Sequence, residues 1–596
     1  MRQFPAAFPL VSLSMLFVIP FLVWNHLPPM MSFYAEWWAG MLSILAILSV
    51  ADCWGRWHLP KSGYAPLGFV LVIAIQVVLG RVADLPLAVM AMLYLLGGVA
   101  LIVAVRLLAC RLGSEVLVVT LAWSLVIGGA LSALFAIQQV WSISTLLLGV
   151  VTAKGSYGAS GNLSQANHLA SYMGIGLASV SYLLLKNKLR IIPALVLGGW
   201  LVLALGMTGA RSAWLYLFSM VVLSVGWLYV RRSPEARKLA LASFAYIAGF
   251  IFFQWLLSDT SRLVTASQRL AVDGGGLEVR LIYWRHAFEM FLANPLFGVG
   301  YQNFAWENFM LVAHDMEKGV VLPVSLQAAN NSHNVFMHVL AEFGLPGLLL
   351  ACLLVYWMFR QAIKSWNPER LWAWAVLSVL GIHSLLEFPL WYANFWAVFV
   401  VVLGVLEDPW RDEEEGRRRG FRLVVVPVVL AGLAVLGSLG LKYPMLERVF
   451  SYSPERNPAY TSTHLQLDFE SLQGSWFLDP WIAFAYSATP IEIGQPKVWP
   501  LQLHFNTIAV RQWPNPGLLY RQVLLLGLND ELDSADALLE RAGTVYPETL
   551  PIFLRQIKPF SKANPKIRHL YGRAQSMIKQ ASETFKDGGF KSEVQQ

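Results

Sequence analysis

The chain has 596 residues, 57% of them hydrophobic and only 13% charged, where a soluble domain carries about a quarter charged residues. That deficit excludes an ordinary globular protein, and many apolar runs of ~18 residues or more point to a polytopic membrane protein. The net charge of +8 is no argument for nucleic acid, because the basic residues sort by topology; no nucleic-acid partner is expected.

In chain order, thirteen spans are expected near 8–24, 37–51, 66–80, 85–108, 116–139, 167–185, 191–207, 213–230, 239–257, 338–359, 371–387, 390–407 and 422–441. The first follows Arg2 and reads as an uncleaved helix, since a dozen spans follow it and no small-residue cleavage site does. The 24 Trp and 20 Tyr suit aromatic belts at two interfaces. Alternate loops carry the cations: Arg56 and Lys61; Arg106 and Arg111; Lys186, Lys188 and Arg190; Arg231, Arg232, Arg237 and Lys238; Arg360, Lys364 and Arg370; Arg417, Arg418, Arg419 and Arg422. The opposite loops hold Arg81, Lys154, Arg211 and a few in 258–337. The positive-inside rule then puts the amino terminus in the cytoplasm and the carboxyl terminus outside.

The expected fold is therefore an all-α polytopic membrane protein of about 13 transmembrane helices. It divides into 1–257 with the first nine spans, a large outer loop 258–337 with amphipathic helices, 338–441 with the last four spans, and an outer helical domain 442–596. In that tail, 530–546 (DELDSADALLERAGTVY) has helical periodicity and looks like half of a helical-hairpin repeat. Cys53, Cys110 and Cys352 lie in or beside apolar runs and offer neither a disulfide framework nor a metal-ligand spacing. No cofactor or metal is expected, and the lipid bilayer is an implied partner.

Ionisable side chains at membrane ends are costly, so each invites a functional reading beside a structural one. In GNLSQANHLASYM (161–173), Gln165, Asn167 and His168 fall at the outer mouth of the sixth span, as caps or as the lining of a cavity. In MTGARSAW (207–214), Arg211 is a lone cation, either a snorkelling anchor or an anion clamp; guanidinium binds phosphate through a planar fork. LEVRLIYWRHAFEMFL (277–292) is an amphipathic helix by the recurrence of Leu277, Leu281, Trp284, Phe288 and Phe291. Arg280 is expected in its first turn, where a bound anion would offset the helix dipole. Arg285 and His286 read as solvated surface. The helix should stop at Asn294-Pro295, before Gly298-Val-Gly300-Tyr301; that glycine pair is too short for a nucleotide loop. In HSLLEFPLWY (383–392), His383 and Glu387 share a helix face ahead of Pro389, as an ion pair, a cap or a direct participant.

The stretch 331–347 reads NSHNVFMHVLAEFGLPG. Asn331 or Ser332 can cap a helix begun by His333. His338 and Glu342 share another face and read as supporting. Too few residues remain between Gly347 and Arg360 to cross ~30 Å, so the part before Gly344 must dip into the bilayer or a cavity, and the Gly-Leu-Pro-Gly break needs protein or water around it. His333 then stands at the rim of an outer cavity. An imidazole titrates near neutrality, which makes His333 the best general base of the set; helix capping is the structural alternative.

These pieces together resemble the O-antigen ligases, O-antigen polymerases and bacterial protein O-oligosaccharyltransferases. His333-Asn334, nine residues, and Gly344-Leu-Pro-Gly347 match the ligase signature in full. GNLSQANHLA and HSLLEFPLWYA look like the pilin-type O-oligosaccharyltransferase branch, which the outer carboxyl-terminal domain also suits. The resemblance covers 160–405 well and says little about the first five spans. It implies a metal-independent glycosyltransferase of the bacterial inner membrane, with its active site on the periplasmic side. It implies an oligosaccharide on undecaprenyl pyrophosphate as donor and a Ser or Thr hydroxyl of pilin or another exported protein as acceptor. It assigns His333 as base and Arg211 and Arg280 as pyrophosphate ligands, with Gln165, Asn167, His168, Tyr301, Asn334 and Glu387 as candidates for substrate contacts. An O-antigen ligase or polymerase would differ only in acceptor. A lipid-linked sugar transporter would show internal repeats and a midplane site, and neither is seen.

Overall fold

The computed structural model describes residues 7–51, 59–142, 158–258, 260, 263–272, 275–320, 322, 329–364, 366–408, 420–451, 462–491 and 493–587. Cys53, Arg56, Lys154, Asp273, Gly274 and Arg417–Arg419 lie outside them. Helices make up the regular structure, and there is no strand among the described residues. The first nine are α1 (Ala7–Leu16), α2 (Phe33–Leu48), α3 (Tyr64–Val78), α4 (Leu85–Leu112), α5 (Ser114–Trp141), α6 (Ala166–Leu185), α7 (Ile191–Met207), α8 (Ser212–Arg231) and α9 (Pro234–Ser258). Then come α10 (Ala266–Val272), α11 (Gly275–Ala293) and α12 (Phe304–Glu317), followed by α13 (Val335–Lys364), α14 (Pro368–Ser384), α15 (Ala393–Leu406) and α16 (Gly420–Phe450). The tail holds α17 (Ser462–Leu472), α18 (Asp479–Ser487), α19 (Trp499–Gln512), α20 (Pro516–Leu528), α21 (Leu532–Val545), α22 (Leu550–Ile557) and α23 (Pro565–Asp587).

Every expected span falls on a helix, and among the described residues 8 segments are long and apolar enough to cross a membrane. The centre of the bundle is α6, in which every residue from His168 to Leu185 is buried. Its Ala170, Ser171, Gly174, Gly176, Ala178, Ser179 and Ser181 let α5, α7, α8, α9 and α14 approach closely, as small residues do where no hydrophobic gain separates helix from lipid. Two of the cations at one end pair with acids: Lys186 is 2.7 Å from Glu115, and Arg370 is 3.0 Å from Asp408. The opposite end carries α10–α12 and the tail.

The helix α12 packs into the core of the tail. Phe309, Val312 and Ala313 are buried with Leu519, Val523, Leu538 and Leu539 of α20 and α21. The tail is also joined to the bundle through α16, whose Tyr443 ring stacks on Phe33 of α2 at 3.5 Å.

Helix α13 is bent at Gly344, which has φ +64 and ψ −154. Pro346 has no N–H, so the carbonyls of the preceding turn lose their helical donors. The segment after α11 supplies replacements. Val299 N–H donates to the Ala341 carbonyl at 2.9 Å and Gly300 N–H to the Glu342 carbonyl at 3.1 Å. Gln76 Nε2 of α3 adds a second bond to the Glu342 carbonyl at 2.8 Å. In return Leu345 N–H donates to the Pro295 carbonyl at 2.9 Å. A Cβ at Gly298 would lie 2.3 Å from the Glu342 carbonyl carbon. The glycine pair of 298–300 thus serves the break in α13, where an unsatisfied backbone group at membrane depth costs several kcal/mol. His338 and Glu342 complete this region: their side chains are buried and 3.5 Å apart, and Glu342 Oε1 accepts from Phe304 N–H at 3.2 Å.

Candidate functional site

Three helices are tied together inside the bundle by Ser171, Tyr216 and His383, all buried. Ser171 Oγ is 2.9 Å from Tyr216 Oη and 2.7 Å from His383 Nδ1. About one turn nearer the end that carries the tail, the same three helices present Asn167, Arg211 and Glu387. Asn167 Nδ2 donates to Glu387 Oε1 at 3.3 Å. Glu387 lies past the end of α14, anchored by its N–H donating to the His383 carbonyl at 2.7 Å.

His333 meets Glu387 from the other side. Its Nδ1 is 3.2 Å from Glu387 Oε2, and the two side chains are 29% and 17% exposed. The contact is out of line for a hydrogen bond; catalytic hydrogen bonds commonly align only when substrate arrives. With Nδ1 turned to the carboxylate, Nε2 is the nitrogen left to exchange a proton. His333 has a left-handed φ of +51, and its N–H donates to Asn331 Oδ1 at 3.2 Å. Helix α11 braces the turn: Tyr283 stacks on the imidazole at 5.7 Å, and Trp284 Nε1 donates to the Ser332 carbonyl at 3.1 Å. Arg280 lies one turn before these aromatics and is half-buried, as is Arg211. A third arginine, Arg269 of α10, donates to the Gly209 carbonyl in the Arg211 loop at 3.3 Å.

Three family models match the chain in succession: "Protein glycosylation ligase" over residues 159–184, "O-Antigen ligase" over 195–352, and "Virulence factor membrane-bound polymerase, C-terminal" over 371–554. By these matches the chain is similar to the O-antigen ligases and protein glycosylation ligases. It is 24% identical to a general O-oligosaccharyltransferase of Acinetobacter baylyi over 65% of this chain and 68% of that protein. It is also 24% identical to a ComP-specific O-oligosaccharyltransferase of the same organism, over 60% of this chain and 63% of the relative. The chain thus matches about two thirds of the length of each relative. The O-antigen ligase match contains Arg211, Arg280 and His333, the residues chosen from the sequence.

The structure brings Asn167, Glu387 and His333 into contact and assigns other surroundings to the remaining candidates. Gln165 precedes α6 half-buried, its carbonyl accepting from Leu169 N–H at 3.2 Å. His168 is buried edge-on to Tyr392 at 4.5 Å and His383 at 5.6 Å, below the mouth rather than in it. Tyr301 belongs to the α13 break: its N–H donates to Gln76 Oε1 at 3.2 Å and its ring packs on Phe343. Asn334, not Asn331 or Ser332, caps α13, its Oδ1 accepting from Phe336 N–H at 3.0 Å and Met337 N–H at 3.2 Å. Arg280 is about half a turn deeper in its helix than expected, because α11 starts at Gly275. The dipole conflict inferred for it is correspondingly weak.

His286 is the clearest correction. It is wholly buried, not solvated, with Nδ1 2.8 Å from Asn308 Oδ1 and Nε2 3.1 Å from Asp315 Oδ2. Arg285 also pairs with Asp315. This cluster clamps α11 to α12 and so holds Tyr283 and Trp284 against the His333 turn. A solvated reading of the sequence failed because the partners sit some twenty residues or more further on, in α12. Burial raises the Asp315 carboxyl, but hydrogen bonds from His286 and Arg285 outweigh it and hold the group below the ordinary carboxylate range. A depressed folded-state pKa adds stability that is present above the unfolded value and lost as pH falls through the folded one. Asp315→Asn is therefore expected to cost about 1–3 kcal/mol near neutral pH. Thermal melts in detergent should show the parent approaching the variant once the pH drops below about 4, the ordinary range of aspartate. A constant gap down to the lowest pH tested would remove this role for the carboxylate.

Proposed function

We propose that the chain transfers an oligosaccharide from undecaprenyl pyrophosphate to a Ser or Thr hydroxyl of an exported protein such as pilin, on the periplasmic face of the bacterial inner membrane. In this reading about 13 helices cross the bilayer, with the amino terminus in the cytoplasm, and the helical tail from 442 stands over the site. The observation that carries it is the approach of His333 to Glu387 at 3.2 Å, with Asn167 bonded to the same carboxylate. An acceptor hydroxyl ionises far above neutral pH and needs a base in reach. His333 Nε2 takes its proton as the oxygen attacks the anomeric carbon. The bond from that carbon to the diphosphate oxygen breaks with its electron pair going to the diphosphate. Glu387 keeps the imidazole oriented and balances the positive charge it gains; Asn167 holds Glu387. Arg211 and Arg280 stabilise the leaving diphosphate through charge-assisted hydrogen bonds. One direct displacement inverts the anomeric carbon.

Protein as acceptor is supported by the likeness to both O-oligosaccharyltransferases. Transfer to lipid A core is the second reading, favoured by the O-antigen ligase match over 195–352. The test is transfer by purified protein with lipid-linked oligosaccharide and a candidate pilin. Sugar that reaches only lipid A core replaces the first reading by the second. Arg211→Ala and Arg280→Ala are each expected to raise the donor KM or lower kcat by ~10–100-fold, on the scale of ~1.5–3 kcal/mol for a hydrogen bond to a charged group. Donor kinetics unchanged in both variants would remove the clamp.

A further inference from the structure

The buried side of α11 consists of Tyr283, His286, Ala287 and Met290. Its opposite side is apolar too, and uncovered. Leu281 is 51% exposed, Phe288 46%, Leu292 60%, and Leu296, just past the helix, 68%. Leu281, Phe288 and Leu292 are spaced by seven and four residues, so they form one stripe. Arg285 and Glu289, 3.9 Å apart, border it on one side, and Trp284 and Phe291 on the other. Such a helix, with one face packed on the protein and an apolar row exposed on the other, is unsuited to open water.

Its position says what covers it. Leu345 N–H is bonded to the Pro295 carbonyl, so Leu296 adjoins the start of the exposed row Leu345, Leu349 and Leu353 on α13. From Leu345 to Lys364 the helix rises about 28 Å at ~1.5 Å per residue, less than the ~30 Å of a bilayer core. Residues 295–296 are therefore at or below the hydrocarbon boundary when the charged end of α13 sits at the other one. The stripe of α11 continues the lipid-facing row of α13.

We propose that α11 is a membrane-docked helix, with Leu281, Phe288, Leu292 and Leu296 embedded in the acyl chains of the leaflet nearest His333. Trp284 then lies at the interface, where indole is favoured, and Arg285 reaches to the headgroups. Docking fixes Arg280 and Tyr283 at headgroup depth, the level at which the diphosphate of a lipid donor resides. That last consequence rests on the donor assignment above; the docking does not.

The experiment uses full-length protein in nanodiscs of phosphatidylcholine and phosphatidylglycerol, with the native cysteines replaced by serine. Single cysteines at Phe288 or Leu292 carry an environment-sensitive fluorophore. Lipids with a doxyl quencher near the headgroup are expected to quench both labels about as strongly as one at Phe218, which is exposed on α8. A label at Glu540 on the exposed side of α21 reports the aqueous level. Labels at 288 and 292 that follow Glu540, and are quenched by iodide instead, overturn the proposal. Quenching that arises only after lipid-linked donor is added overturns it too, giving the face to the donor's polyprenyl chain. Label-to-label energy transfer between copies gives it to a second protein. None of these readings depends on transferase activity, so a failure here is separate from a failure of the proposed function.

Discussion

Replacing His333 by alanine is expected to lower oligosaccharide transfer by ~10²–10⁴-fold, the usual worth of a positioned general base. The loss should fall on kcat, because the imidazole is needed as the hydroxyl ionises and adds little to donor binding. Stability should change little. His333 sits on a turn, and the bonds that shape that turn come from Asn331, Ser332 and Asn334 rather than from the imidazole. The stacked Tyr283 is the one aromatic contact at close to parallel geometry that the variant forfeits. Glu387→Gln provides the graded comparison. The amide keeps the size of the carboxylate and an oxygen for Asn167, but cannot balance an imidazolium. Its expected loss is smaller than that of His333→Ala. The double variant should be no worse than His333→Ala alone, since residues that act as a unit are not additive. Transfer by His333→Ala at the parental rate would falsify the base assignment. Losses in the two single variants that multiply in the double variant would separate Glu387 from His333 and leave the 3.2 Å contact without a catalytic meaning.

How much of this was legible in the sequence depends on the distance over which each feature is determined. The helices were, because apolar runs and loop charges are local signals: all thirteen expected spans fall on helices. His333, Arg211 and Arg280 stand out as candidates in the sequence, because a cation or imidazole at a membrane end contrasts with its neighbours. Partnerships were not legible. Glu387 and Asn167 lie 220 residues apart in sequence, and the bond joining Ser171 to His383 spans 212. Nothing in the local pattern of 383–387 says that His383 turns inward to Ser171 while Glu387 leaves the helix. Gln76 gave no signal at all: a single glutamine in an apolar span reads as tolerated, yet it holds both sides of the α13 break. Arg269 carries the same local signal as Arg211 and Arg280, a further cation on the arginine-poor side, but its bond to the Gly209 carbonyl is again long-range. His286 shows the opposite error, where a polar residue on an amphipathic helix was assigned to water although its side of the helix is covered by α12.

Gly344→Ala is expected to cost more folded protein than any other single-atom-scale change in the site region. The residue has φ +64 and ψ −154, a region that is essentially glycine-only and costs other residues about 1–3 kcal/mol. A Cβ there would also lie 2.6 Å from the Pro295 carbonyl oxygen and 2.8 Å from Gly298 N. Both are backbone atoms of the segment whose N–H groups replace the helical bonds lost at Pro346, so they cannot yield without releasing those bonds. Strain and lost hydrogen bonds together put the expected destabilisation at ~3 kcal/mol or more. Gly381 on α14 is the control, since a Cβ there would meet nothing within 4 Å; Gly381→Ala should be neutral. Monodisperse yield and melting temperature in mild detergent distinguish the two. The signature that runs from His333 to Gly347 then divides into two halves. In the proposed mechanism His333 supplies the chemistry, while the glycines allow the bend in α13. Should Gly344→Ala fold and melt like the parent while losing transfer, the glycine would belong to the reacting site, and the division drawn between the two halves would be wrong.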